Sequence, residues 1–116
     1  VALGVSGDGH GAVGLLAGCE SWFSVIGGTL PAPALKITRA ALSGDADAAL
    51  ATSELLRPVW DLMAEHGSLR VTAAIAEYLG LVEAPSLPRP IRGLGGADAA
   101  RVAETVDRLG FAVQGA

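Results

Sequence analysis

VALGVSGDGHGAVGLLAGCESWFSVIGG, residues 1–28, decides the fold. An apolar run over residues 1–5 meets the turn Ser6-Gly7-Asp8-Gly9-His10-Gly11 and passes into a second apolar run. A short run that is apolar throughout, without alternation, suits a strand buried on both faces, the habit of parallel sheets. Residues 10–17 read as a short helix ended by Gly18. Residues 21–26, rich in aromatic and β-branched side chains, read as a second strand closed by Gly27 and Gly28. Two strands joined through a helix are expected to run parallel.

Working outward, the pattern turns helical. Pro31 and Pro33 open a helix to about Leu42, and proline is tolerated in a first turn because no N–H is needed there. Ser43-Gly44-Asp45 is a break, with Asp45 the expected cap of the helix after it. That helix is expected to be one long element over residues 46–66, its apolar face built from Ala49, Leu50, Leu56, Val59, Trp60 and Met63. Pro58 lies inside it and should kink it or remove a backbone bond. Gly67 ends that helix, and Ser68 is expected to cap another, which runs to about Leu79. Residues 83–96 hold Pro85, Pro88 and Pro90 and read as a loop. A last amphipathic helix is expected over residues 97–109. Two parallel strands with helices on one side leave open edges that normally need cover. The chain therefore reads as the end of something larger.

Its 116 residues are the length of one ordinary domain, and 51% of them are apolar. A net charge of −4, with eight scattered Lys and Arg, argues against a nucleic-acid partner. Cys19 is the single cysteine, so no intramolecular disulfide forms, which suits a reducing cytoplasm. No apolar run reaches the ~18 residues of a membrane span, and the start lacks the basic flank of a signal peptide. A cytoplasmic location without a membrane partner is expected.

The glycines invite a chemical reading. Gly7, Gly9 and Ala12 fit G-x-G-x-x-A between a strand and a helix, the setting of a dinucleotide turn. The second strand lacks the acid that such a turn requires, and close packing of helix on sheet is the stronger account. Ser6, Asp8 and His10 do not read as a nucleophilic group, because neighbours in one turn seldom reach triad geometry. Asp8 reads instead as a helix cap, and Cys19 as a packed, inert thiol. Lys36, the sole lysine, is the only Schiff-base candidate here, yet a lysine on a helix is usually a solvated charge. Trp22 and Trp60 are expected in the core. Two histidines and one cysteine show no ligand spacing, so no metal site is expected.

The order of these motifs resembles one family. SGDG, then LLAGCESWFSV, a proline-opened helix, an SGD break, a helix containing Leu55-Leu56-Arg57-Pro58 and a closing proline-rich loop and helix look like the C-terminal portion of the dihydrodipicolinate synthase / N-acetylneuraminate lyase family. The resemblance runs from Val1 to about Phe111. It implies an α/β fold, the end of a (β/α)8 TIM barrel over residues 1–43, with strands seven and eight, followed by a C-terminal helical extension over residues 44–116. It implies a pyruvate-dependent class I aldolase, lyase or synthase, without cofactor or metal, acting on a small keto acid as a homo-oligomer. Gly7 and Asp8 match the family's small-Gly-Asp turn on the active-site face. Ser21-Trp22-Phe23-Ser24-Val25 aligns with the family's Gly-Val-Ile-Ser-Val, which puts Phe23 at the position whose side chain or backbone lines the keto-acid pocket. The Schiff-base lysine, the relay tyrosine and the carboxylate-binding threonine turn all precede strand seven, so no catalytic residue maps onto this chain. Lys36 falls on an outer helix and cannot substitute. A whole barrel takes ~200 residues or more, so the missing N-terminal part of the barrel is the expected partner and the chain alone is expected to be inactive. Gly9, His10 and Val25 stand where sialic acid lyases carry hydroxyl-bearing or acidic groups. Ser21 and Trp22 depart from the typical dihydrodipicolinate synthase, leaving a less-defined aldolase, dehydratase or synthase. The alternative is a non-catalytic helical interaction or oligomerisation module derived from such an enzyme.

Overall fold

The structure, a computed structural model, describes residues 1–110. Strand β1 (Gly4–Ser6) leads through a 3-10 turn at Asp8–His10 into helix α1 (Gly11–Leu16), and the chain returns as β2 (Ser21–Phe23). The two strands pair in parallel, as expected, with Gly4 opposite Ser21, Val5 opposite Trp22 and Ser6 opposite Phe23. Both are shorter than their sequence implied. Residues 1–3 lie outside the ladder, with Val1 and Leu3 exposed. Burial on both faces is not realised either: Gly4 and Ser6 are exposed and Val5 is half-buried. After Phe23 the backbone leaves the sheet and coils into a 3-10 turn at Ile26–Gly28 instead of extending the strand.

The glycines of the opening segment serve packing. A Cβ on Gly11 would stand 2.5 Å from the Trp22 indole, and one on Gly14 would run into the Val5 side chain. Helix α1 lies directly on the sheet at these two positions, which no larger residue allows without displacement.

Among the described residues, five helices come after the sheet: α2 (Pro31–Leu42), α3 (Ala46–Leu55), α4 (Arg57–His66), α5 (Ser68–Tyr78) and α6 (Gly96–Arg108). Asp45 caps α3 as expected, accepting the Ala48 N–H at 3.1 Å. The single long helix expected over residues 46–66 is two helices. Leu56 has φ −87 and ψ 2, off the helical values, and Pro58 falls in the first turn of α4. Proline there lacks only a donor that has no helical partner, so it starts a helix and does not kink one. The buried Trp60 indole N–H bridges the break, donating to the Ser53 carbonyl at 3.0 Å and to its Oγ at 3.2 Å. Ser68 is the first residue of α5 and makes no cap bond; the junction is Gly67, whose φ of +87 favours glycine.

One core joins the helices to the turn after β2. Ile26, Leu30, Ile37, Leu56, Val59, Trp60, Val71, Ile75, Val102 and Val106 all belong to it. Full burial of a side chain of this kind contributes about 1.5–3 kcal/mol. Trp60 is thus a core residue, as expected. A smaller cluster of Leu15, Ala41 and Ala49 sits where α1, α2 and α3 meet. No helix among the described residues is long and apolar enough to cross a membrane. Residues 111–116, which end the expected helical extension and include Phe111, lie outside the described residues.

Candidate functional site

The C-terminal ends of β1 and β2 lie side by side, because parallel pairing puts Ser6 opposite Phe23. The turn that leaves β1 forms one wall of an open pocket of about 590 Å³. Ser6, Gly7, Asp8 and His10 line that wall, Val25 comes from the segment after β2, and Arg57, Trp60 and Asp61 close the pocket from α4. The turn rests on α4: a Cβ on Gly9 would make ordinary contact, 3.6 Å, with the Trp60 Cβ.

Gly7 has φ +89, a region favouring glycine, and reverses the chain so that Asp8 points inward. Asp8 is 6% exposed. Its Oδ1 accepts the Val25 N–H at 3.1 Å and its Oδ2 accepts the Ile26 N–H at 2.7 Å. The cap expected of Asp8 is therefore made elsewhere. Its own 3-10 turn has no side-chain cap bond, while the turn 17 and 18 residues further on receives both oxygens. With both oxygens bonded to backbone, Asp8 offers Ser6 and His10 no relay.

Gly7 and Asp8 come together in the pocket. Phe23 does not line it. Its ring is 68% exposed and lies over Gly4, on the open surface of the sheet. Lys36 is exposed on α2, and Cys19 is a free, half-buried thiol. Among the described residues, no three His, Cys, Asp or Glu side chains gather into a metal-ligand cluster.

Arg57 and Asp61 escaped the sequence reading. They lie one helical turn apart on α4 and share its pocket-facing side with Trp60, but only the tertiary fold brings that side to the turn after β1. Arg57 donates to Glu54 Oε2 from Nε at 3.3 Å and from Nη2 at 3.0 Å. The hydrogen bond to Glu54 holds its pKa above the ordinary arginine value, so it stays a guanidinium. The pocket thus offers a hydroxyl, an imidazole, a guanidinium paired with Glu54, the Asp61 carboxylate and backbone groups, a set suited to holding a small polar molecule. Among the described residues lining it there is no amine that could attack a carbonyl.

No protein-family model matches the chain, and no curated protein matches it. Solved structures do. The dihydrodipicolinate synthase of Agrobacterium tumefaciens shares 42% of aligned residues with a TM-score of 0.87, over 93% of this chain and 36% of that one. A protein described as a dihydrodipicolinate synthetase, from Pseudomonas aeruginosa, matches with a TM-score of 0.83 over 94% of this chain and 37% of that one. At 19% identity, that second likeness is one of fold. The resemblance expected from the sequence is met, and the chain spans about a third of the length of the structures it matches.

Proposed function

We propose that this chain, similar along most of its length to a dihydrodipicolinate synthase, is the C-terminal portion of a pyruvate-dependent class I aldolase, lyase or synthase. In this reading β1 and β2 are the seventh and eighth strands of a (β/α)8 barrel and α2 is its eighth helix. Residues 1–43 end the barrel, and residues 44–116 form the helical extension. The observation that carries the reading is the 42% identity across 93% of the chain. The position of the pocket supports it. It opens at the C-terminal ends of parallel strands, the end at which barrels of this class keep their active sites.

Gly7 and Asp8, whose turn lines the pocket, and Phe23, at the end of the strand beside that turn, are the substrate-binding positions of this reading, with Asp8 acting by holding the turn in place. The keto acid lies against the turn after β1, with no cofactor or metal. The amine that forms the Schiff base comes from a lysine outside this chain, because Lys36 stands on α2, away from the pocket. The chain alone is therefore inactive. Its partner is the rest of the barrel, which pairs with both open sheet edges, and the assembled enzyme is a cytoplasmic homo-oligomer.

Borohydride trapping tests the reading on the native polypeptide that contains SGDGHGAVGLLAGC. With pyruvate present, a lysine outside residues 1–116 becomes alkylated, on a chain of about 250 residues, the usual barrel size. A native chain of these 116 residues alone, with no pyruvate-dependent label, would replace it with the non-catalytic interaction module.

A further inference from the structure

The β1–β2 ladder is three residue pairs long. So short a pairing holds little by itself, yet the loops leaving both strands contribute to one pocket. Within the described residues a second contact holds them together. Asp8 is the one charged side chain of the turn after β1 that is buried, at 6% exposed. A carboxylate taken out of water is costly unless its oxygens are hydrogen-bonded. Both are, and both bonds cross from the loop after β1 to the loop after β2. Bonds from backbone N–H groups to an ionised acceptor are among the stronger protein hydrogen bonds. Val25, one of the two donors, itself lines the pocket.

The same bonds account for the early end of β2. The N–H groups of Val25 and Ile26 point to Asp8 and not to a neighbouring strand, and the chain coils into its 3-10 turn there. Gly7 supplies the positive φ that turns Asp8 toward them.

We infer that Asp8 is a positioning residue, a carboxylate clamp that sets the distance between the two pocket loops and does not itself touch the bound molecule. Ser6, His10 and the backbone of Gly7 are left to face the pocket. The clamp stands on geometry; its consequence for turnover rests on the aldolase reading above.

Amide exchange in the native polypeptide that contains these residues tests the clamp directly. In the wild type the Val25 and Ile26 amides are protected. In Asp8→Ala both exchange about tenfold faster or more, while the core amides of Ile75 and Val102 keep their rates, as local opening demands. Asp8→Asn keeps the shape but turns a donor toward a donor at one of the two positions, so one amide alone loses protection. Should Asp8→Ala not fold, Asp8→Asn carries the test. Unprotected Val25 and Ile26 in the wild type, or an Asp8→Ala variant in which they exchange no faster than in the wild type, overturns the clamp. In the lysine-bearing polypeptide, Asp8→Asn lowers kcat about tenfold or more while KM for pyruvate stays within about threefold, the signature of lost positioning. A raised KM with unchanged kcat makes Asp8 a ligand and overturns the inference. Failure of pyruvate trapping in the wild type defeats the aldolase reading only, and exchange at Val25 and Ile26 still decides the clamp.

Discussion

The two tryptophans show how differently one residue type can be held. Trp60 buries its ring in the core and satisfies its N–H on Ser53. Trp22 has its Nε1 shielded from solvent with no acceptor among the described residues. Removing the Trp60 donor leaves the buried Ser53 Oγ without its partner, at about 1–3 kcal/mol, while the Ser53 carbonyl keeps the Leu56 N–H; removing an unsatisfied donor costs nothing on that account. Trp60→Phe is therefore expected to destabilise the chain by more than Trp22→Phe, and the deeper burial of Trp60 adds to the difference. Denaturant midpoints of the two variants settle it, and equal losses would mean that Trp22 has an acceptor after all. Both residues were legible as core candidates by type. The glycines beneath Trp22 were legible too, since glycines between strand and helix signal close approach. Asp8 was legible only as a capping residue, because its partners lie 17 and 18 residues away, where no local pattern reaches.

At the level of elements, what local chemistry decides was readable and what packing decides was not. The Asp45 cap and the proline start of α2 could be read from residues next to them. The division of residues 46–66 into α3 and α4 could not, because Leu56 continues the helical apolar spacing and its departure from helix is fixed by complete burial and by the Trp60–Ser53 bridge. Arg57 and Asp61 went unnoticed for the same reason. The docking of α6 was equally invisible. Arg101 grips Glu65 of α4 with two bonds, 3.1 and 3.0 Å, and the Tyr78 hydroxyl of α5 donates to Asp107 at 2.7 Å. The hydrogen bond from Arg101 holds the Glu65 carboxyl below its ordinary value of 4.5. A carboxylate with a depressed folded pKa contributes stability that is present above the unfolded value and lost as pH falls through the folded one. Acid should therefore loosen α6 from α4 in a window below about 4.5. Carboxyl NMR titration should find Glu65 low in the wild type and back in the ordinary range in Arg101→Gln. An unchanged Glu65 in that variant would remove Arg101 as the cause.

For the molecule as a whole, the order of elements carried more than any motif. Strand, glycine turn, helix, strand, proline-opened helix and helical tail together pointed to the family that the solved structures then supplied, although no local motif in the series is specific. The order also implied open sheet edges; what it could not convey is how short the strands at those edges are. Among the described residues β1 and β2 pair only with each other. Val1, Leu3 and Phe23, all at or beside this ladder, are exposed at 120%, 62% and 68%. Two unpaired edges flanked by apolar side chains are a template for further strand pairing, which proteins ordinarily block with charge or cover. The isolated chain should therefore self-associate with rising concentration and bind dyes that report apolar surface. A lysine at the edge is the natural countermeasure, so Leu3→Lys should shift the chain toward monomer while leaving its helical content intact. Sedimentation against concentration reads the result. A wild-type chain that stays monomeric and dye-free would mean that its edges need no cover, and would weaken the case that the rest of a barrel belongs there.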